Sequence, residues 1–160
     1  MFGKISIIGC GLIGSSILRA TEEKKLAKKI SVHDKSNKVM EYLKKNFTAD
    51  ICSNVSEATK DADLIIISAP LSSYKEILLS IKSTLKEGSI LTDTGSAKKE
   101  VNKIVNNLGF KNISWIASHP IAGTEFSGPA AGFSSLFKNR WCILSADNQV
   151  AKDKIENLEK

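Results

Sequence analysis

The chain of 160 residues contains only three cysteines and two histidines, and both scarcities limit the sites that it can form. The cysteines Cys10, Cys52 and Cys142 are odd in number and widely spaced. They provide neither a disulfide framework nor the closely spaced ligands of a metal site. We therefore expect no bound metal and a reducing compartment, the cytoplasm.

Long apolar runs are absent as well. No stretch approaches the length of a transmembrane helix, and the amino terminus lacks the pattern of a signal peptide. The net charge is +6, but the lysines are spread along the chain, which favours solvated helix surfaces over a patch for polyanions. The sequence thus predicts no membrane partner, no nucleic-acid partner and a single domain over residues 1–160.

The most informative stretch that is present is KISIIGCGLIG, residues 4–14. Its apolar run 5–8 is typical of a strand buried on both faces, and residues 15–20 continue as a helix. In the G-x-G-x-x-G between them, the first glycine permits a tight turn, the second lets backbone approach a pyrophosphate, and the third lets helix and strand pack closely. The predicted cofactor-binding positions of this loop are Gly9, Cys10, Gly11, Leu12, Ile13 and Gly14.

A second apolar run, residues 30–33, ends in Asp34, about twenty residues after the glycine loop. A carboxylate at that place binds the ribose of a dinucleotide, although Asp34 could instead cap the next helix. Because a carboxylate there repels a 2′-phosphate, we expect NAD as the cofactor. The adjacent Lys35 leaves some room for NADP.

Apolar runs and helical patterns alternate along the chain, which predicts an α/β fold: a doubly wound, mainly parallel Rossmann-type sheet with helices on both faces. The strand 63–68 has the clearest pattern, and its carboxyl end, Ser68, Ala69 and Pro70, is expected beside the cofactor. The other predicted strands cover residues 49–52, 89–93, 114–117 and 141–145, and the other predicted helices cover residues 36–47, 56–60, 74–85, 98–108 and 149–160.

His119 is the candidate for proton transfer. It follows the predicted strand 114–117 at the sheet edge where ligands bind, and it opens a long glycine-bearing stretch that reaches Phe137. Histidine exchanges a proton near neutral pH. From the residues alone, His119 is either a catalytic base or an ordinary structural histidine, whereas we interpret His33 as structural.

Four stretches carry a resemblance to a known family, the prephenate and arogenate dehydrogenases of tyrosine biosynthesis. The most specific is the pattern H-P-x-A-G-x-E-x-S-G that begins at His119. The others are the glycine loop, the run D-T-G-S-A-K from Asp93, and Leu136-Phe137 before the last strand. They agree in order and spacing, so the chain resembles the nucleotide-binding domain of these enzymes over essentially its whole length.

The resemblance implies an oxidative decarboxylation of prephenate or of its amino analogue arogenate, in which hydride passes to a nicotinamide and the ring carboxylate leaves as carbon dioxide. His119 would be the base for the ring hydroxyl, and Ser96 would hydrogen-bond at the same centre beside the nicotinamide. Lys98 would attract a substrate carboxylate unless it is a plain surface lysine, and Glu125 would gate or polarise the pocket. Ser96 also suits a turn or a helix cap.

Members of this family carry a second, all-helical domain that forms a homodimer and completes the substrate pocket, and we expect that domain to be absent from this chain. The chain would then be the cofactor-binding and catalytic-histidine half. A smaller departure is Ser15, where a glycine is common and a serine is expected to crowd the pyrophosphate. Two other interpretations stay open: a NAD-binding module without turnover, and a relative that oxidises 3-hydroxy acids.

Overall fold

One seven-stranded sheet forms the centre of the computed structural model, which describes residues 1–147 and 150–159. The strands are β1 (Phe2–Ile8), β2 (Ala27–His33), β3 (Asp50–Ile51), β4 (Leu64–Ile67), β5 (Ile90–Asp93), β6 (Ser114–Pro120) and β7 (Cys142–Ala146). The helices are α1 (Leu12–Glu23), α2 (Asn37–Asn46), α3 (Val55–Thr59), α4 (Tyr74–Ile81), α5 (Lys98–Leu108) and α6 (Lys152–Glu159). The predicted alternation of strands and helices is confirmed.

The order of the strands across the sheet is β3-β2-β1-β4-β5-β6-β7, and every neighbouring pair is parallel except β6 with β7. The doubly wound, mainly parallel sheet is therefore confirmed. Because β1 pairs with both β2 and β4, the strand order reverses beside β1. In open α/β sheets, ligands bind at the carboxyl ends of the strands next to such a reversal.

Two apolar layers cover the two faces of this sheet, because the central strands carry apolar side chains on both sides. On one face, Ile65, Ile67 and Leu91 pack together with α3, α4 and α5. On the other face, Ile7 and Ile66 pack together with α1, α2 and α6. The apolar side chains of β1 and β4 thus supply both layers, and the carboxyl ends of these two parallel strands lie at one edge of the sheet.

One helix boundary was predicted wrongly, because hydrogen bonds end the helix before its apolar spacing stops. Helix α4 ends at Ile81 and not at Leu85. The Ile81 carbonyl accepts hydrogen bonds from both the N–H and the hydroxyl of Thr84, as well as from the Leu85 N–H, which closes a turn. Leu85 still packs on the core from that turn.

Strand β6 and helix α6 also differ from the prediction in extent. Strand β6 continues to Pro120, three residues beyond the predicted end, because β7 pairs with it in antiparallel orientation. Helix α6 begins at Lys152, while the predicted limits Gln149 and Lys160 lie outside the described residues. None of the helices in the described ranges is long and apolar enough to cross a membrane.

The buried Tyr74 of α4 predicts a loss of stability at alkaline pH. Burial, followed by the nearby negative charge of Asp93, raises the pKa of its hydroxyl far above the ordinary value. Above about pH 10 the unfolded chain loses this proton while the folded chain keeps it, so the free energy of unfolding falls as pH rises. Chemical denaturation between about pH 9 and pH 11 should therefore show a shallower decline in Tyr74→Phe than in the parent. Equal slopes would contradict this assignment.

Candidate functional site

A cleft of about 820 Å³ opens at the carboxyl ends of β1, β2, β4 and β5, beside the reversal of strand order. Most of the predicted cofactor residues line it. These are Gly9, Gly11, Leu12, Ile13, Asp34, Lys35, Ser68, Ala69 and Pro70. Of the remaining predicted cofactor residues, Cys10 is fully buried, Gly14 packs behind the loop, and Ser96 follows the cleft residue Gly95.

The three glycines of the loop meet three different steric conditions. Gly9 has φ +88°, and a Cβ there would lie 2.6 Å from the Ser68 carbonyl oxygen. A Cβ on Gly14 would lie 2.0 Å from the Gly9 carbonyl oxygen, so helix α1 can approach the loop only without a side chain. A Cβ on Gly11 would meet nothing within 4 Å and would occupy the cleft instead.

The amino terminus of α1 faces this space with its backbone donors. Gly11 is the N-cap, and no side chain hydrogen-bonds the first N–H groups of the helix. Uncapped N–H groups and the positive end of the helix dipole favour an anion at such a terminus. The open position at Gly11 therefore fits the pyrophosphate of a dinucleotide, both in shape and in charge.

Asp34 connects the glycine loop to the turn that follows β2. One carboxylate oxygen accepts the Cys10 N–H at 2.7 Å, and the other accepts the Ser36 N–H at 2.9 Å. Helix α2 is capped by Ser36, whose hydroxyl accepts the Val39 N–H at 3.4 Å. The capping role considered for Asp34 thus belongs to Ser36, and Asp34 is one of the residues that line the cleft where a ribose is predicted.

Cys10 provides a small buried side chain and no reactive thiol. Burial, with a smaller contribution from the Asp34 charge, raises the pKa of the thiol far above its ordinary range. A thiol kept protonated is a poor nucleophile. Cys10 therefore packs inside the glycine loop and does not act as a nucleophile.

The predicted catalytic and substrate residues lie outside this cleft. His119 is half-buried near the end of β6, where it pairs with Ile143 of β7, and its Nδ1 is buried without a hydrogen-bond partner among the described residues. Ser96 and Glu125 are exposed. Their roles stay predictions, because these positions alone do not define a substrate pocket.

Lys98 has a partner that the sequence did not reveal. Its ammonium lies 2.5 Å and 2.6 Å from the two carboxylate oxygens of Asp93, whose side chain is fully buried. Removing one partner of a buried ion pair costs about 3–5 kcal/mol, because it leaves a buried charge unpaired. The plain surface role considered for Lys98 is therefore wrong, and a carboxylate ligand would have to share the ammonium with Asp93.

The long stretch after His119 docks against helix α1. The Phe133 N–H donates to the Ser16 hydroxyl at 3.1 Å, and Arg19 donates to the Pro129 carbonyl oxygen at 3.2 Å. A Cβ on Gly132 would lie 2.2 Å from the Ser15 hydroxyl oxygen. The expected crowding of a pyrophosphate by Ser15 is therefore wrong, because Ser15 faces this loop and does not line the cleft.

No group of three or more histidine, cysteine, aspartate or glutamate side chains within residues 1–147 and 150–159 could hold a metal ion. The three cysteines are free.

Comparisons with known proteins show which family this chain is similar to. Residues 17–160 match the model of the family described as prephenate dehydrogenase, nucleotide-binding domain. The chain is 36% identical over 148 residues to the cyclohexadienyl dehydrogenase of Zymomonas mobilis, covering 92% of this chain and 50% of that protein. It is 34% identical over 158 residues to the prephenate dehydrogenase of Lactococcus lactis, covering 97% of this chain and 44% of that protein. The chain thus spans about half the length of these curated relatives.

A solved structure supports the fold. The chain superposes with a TM-score of 0.84 and 24% identity on prephenate dehydrogenase from Aquifex aeolicus in complex with hydroxyphenyl propionate and NAD+. The match covers 99% of this chain and 56% of that chain. At this level of identity, the likeness concerns the architecture of the sheet and helices.

Proposed function

Because the chain belongs to the prephenate dehydrogenase family, as its nucleotide-binding domain, we propose that it binds NAD and takes part in the oxidative decarboxylation of prephenate in tyrosine biosynthesis. One observation carries the proposal: the cleft of the glycine loop and the His119 loop lie at the same edge of the sheet. Strand β5 ends in the wall of the cleft, and the neighbouring strand β6 ends in His119 and its loop. A hydride acceptor and a base would then act from adjacent strands.

The residues of the cleft suit the parts of NAD. The open face of Gly11 and the free N–H groups of α1 would hold the pyrophosphate, and Asp34 would accept the ribose hydroxyls. When bound, the nicotinamide supplies the acceptor for a hydride from the substrate. Asp34 would also repel a 2′-phosphate, so we propose NAD before NADP.

His119 would take the proton of the substrate hydroxyl as the hydride departs. We assign this proton to Nε2, because Nδ1 is buried without a partner among the described residues. Ser96 would orient the hydroxyl, and the Lys98 ammonium, with two of its contacts on Asp93, has a further N–H for a substrate carboxylate. The exposed Glu125 would act at the entrance of the pocket.

The choice of substrate, the oligomeric state and the compartment are proposed for the whole protein. Arogenate is the alternative substrate, and a homodimer would require the helical domain expected in the other half of such enzymes. With three free cysteines, the reducing cytoplasm is the compartment that we propose. A NAD-binding module without turnover is the second candidate function, because His119, Ser96, Lys98 and Glu125 lie outside the described cleft.

One set of assays tests these alternatives. Formation of reduced nicotinamide is measured with NAD or NADP and with prephenate, arogenate or a 3-hydroxy acid, for this chain and for the protein with every domain that its gene encodes. Turnover with NAD and prephenate is the expected result for the complete protein. Saturable NAD binding without turnover by any preparation would favour the binding module, and oxidation of 3-hydroxy acids alone would contradict the proposed substrate.

Asp34→Ser should shift the cofactor preference towards NADP. Loss of a charged hydrogen-bond acceptor is expected to raise the Kd for NAD by about tenfold or more. The Kd for NADP should rise less, because repulsion of the 2′-phosphate is also removed. The ratio of the two constants is measured by titration, with Asp50→Ser as a control that removes an exposed carboxylate outside the cleft. An unchanged ratio in Asp34→Ser would remove Asp34 from the ribose site.

A further inference from the structure

The buried carboxylate of Asp93 binds groups from several parts of the chain. Its side chain is 0% exposed and accepts the Lys98 ammonium at 2.5 Å and 2.6 Å. It also accepts the Gly95 N–H at 3.1 Å, the Tyr74 hydroxyl at 3.2 Å and the Ser118 N–H at 3.3 Å. Every one of these partners is a donor, and an ionised carboxylate, which only accepts, can satisfy them together.

Two of these contacts are made to the backbone beside the proposed active-site residues. Gly95 directly precedes Ser96, and Ser118 directly precedes His119. Ser96 lies in the turn after β5 and His119 lies in β6, yet the same side chain accepts the N–H of the residue before each of them. A displacement of the Asp93 carboxylate would therefore move both positions.

Pairing between β5 and β6 does not reach these positions, although β7 pairs with Ser118 and His119 from the other side. The parallel register of β5 and β6 extends from Ile90 with Ser114 to Thr92 with Ile116 and goes no further. Beyond it, the Asp93 side chain takes the Ser118 N–H, and the Ser118 hydroxyl donates to the Asp93 carbonyl oxygen. These two bonds join the strand ends where the backbone ladder has stopped.

The fit around the carboxylate is close. A Cβ on Gly95 would lie 3.2 Å from an Asp93 carboxylate oxygen and 3.2 Å from the Tyr74 hydroxyl oxygen. Asp93 thus lies directly behind Gly95, which forms part of the cleft wall. The ammonium of Lys98 balances the buried charge at the start of α5.

We propose that Asp93 is a positioning residue, which fixes Ser96 and His119 relative to each other for proton and hydride transfer. The inference rests on the proposed function, and it adds a residue that touches neither substrate nor cofactor. Asparagine in its place would present one acceptor oxygen and an NH₂ group. The amide would face the Lys98 ammonium and the two backbone N–H groups, so at least one donor would lose its acceptor.

Asp93→Asn and Tyr74→Phe form a matched pair for the kinetic test. Both remove a hydrogen bond of the same buried group, but Tyr74→Phe leaves the contacts to Gly95, Ser118 and Lys98 in place. With prephenate and the complete protein, Asp93→Asn should lower kcat about 100-fold, the loss typical of misplacing reacting groups by about 1 Å. Its KM should change little, because the Lys98 ammonium is retained. Tyr74→Phe should lower thermal stability and keep kcat, with folded protein counted by NAD titration in each case.

An NMR comparison tests the same inference without turnover. In this chain, Asp93→Asn should shift the Ser96 amide signal and both the amide and ring signals of His119, while Tyr74→Phe should leave them in place. Absence of these shifts in Asp93→Asn, or equal losses of kcat in the two variants, would overturn the positioning role.

Should the parent show no turnover, the proposed function fails, and the NMR shifts alone decide the role of Asp93. Should Asp93→Asn not fold, Ser118→Ala replaces it, because it removes the bond to the Asp93 carbonyl; an unchanged kcat and unchanged His119 signals would then contradict the inference.

Discussion

His119→Asn is expected to lower kcat for prephenate by about 10³-fold while the Kd for NAD changes less than about twofold. The asparagine amide cannot accept the hydroxyl proton, and His119 does not line the cleft predicted for the cofactor. Steady-state kinetics of the complete protein and NAD titration of this chain measure the two quantities separately. The limb of the pH profile of kcat/KM that reports the base should also disappear.

His33→Asn is the matched control, since it changes the other histidine of the chain. His33 is one of the residues that line the cleft, and its Nδ1 lies 3.1 Å from the Cys52 carbonyl oxygen. The expected effect of His33→Asn is the opposite of that of His119→Asn. The Kd for NAD should rise, while kcat at saturating NAD and the pH profile of kcat should be retained. Parental kcat in His119→Asn would remove His119 from the chemistry, and parallel losses in both variants would indicate damage to the fold.

Gly14→Ala and Gly11→Ala should separate the stability of the loop from its affinity for NAD. A Cβ on Gly14 collides with the Gly9 carbonyl oxygen at 2.0 Å, so helix and loop must move apart. We expect a loss of about 3 kcal/mol or more in the free energy of unfolding, together with the loss of NAD binding.

In Gly11→Ala nothing lies within 4 Å of the new Cβ, so the free energy of unfolding should stay within about 0.5 kcal/mol. The methyl group would still occupy the space proposed for the pyrophosphate and raise the Kd for NAD.

Gly123→Ala is the control for this pair, because it makes the same change where a Cβ meets nothing within 4 Å and lies outside the cleft. Denaturation and NAD titration should give parental values for it. A Gly11→Ala protein that binds NAD as tightly as the parent would refute the pyrophosphate position. A Gly14→Ala protein of parental stability would contradict the close contact of loop and helix.

The sheet and the glycine loop could be predicted because their signals are local. The apolar runs of β1 and β4 have the length of buried strands, and the spacing of the glycines fixes a turn followed by a helix. The end of α4 at Ile81 could not be predicted in the same way. Its apolar positions continue to Leu85, and only the hydrogen bonds of Thr84 show where the helical path stops.

Contacts between distant segments account for the parts of the site that the sequence did not predict. The sequence predicts that Ser15 crowds the pyrophosphate, but this side chain faces Gly132, more than a hundred residues away. The partner of Lys98 was missed for a related reason. Asp93 ends an apolar strand, and its burial behind Gly95 becomes visible only when β6 supplies Ser118.

The stoichiometry of carbon dioxide to reduced nicotinamide tests the central claim most directly. The complete protein is given NAD and prephenate labelled in the ring carboxylate, and released carbon dioxide and reduced nicotinamide are counted in the same reaction, with a protein-free control. We expect one carbon dioxide for each reduced nicotinamide, and the loss of both products in His119→Asn. Reduced nicotinamide without carbon dioxide, or NAD binding without either product, would contradict the claim.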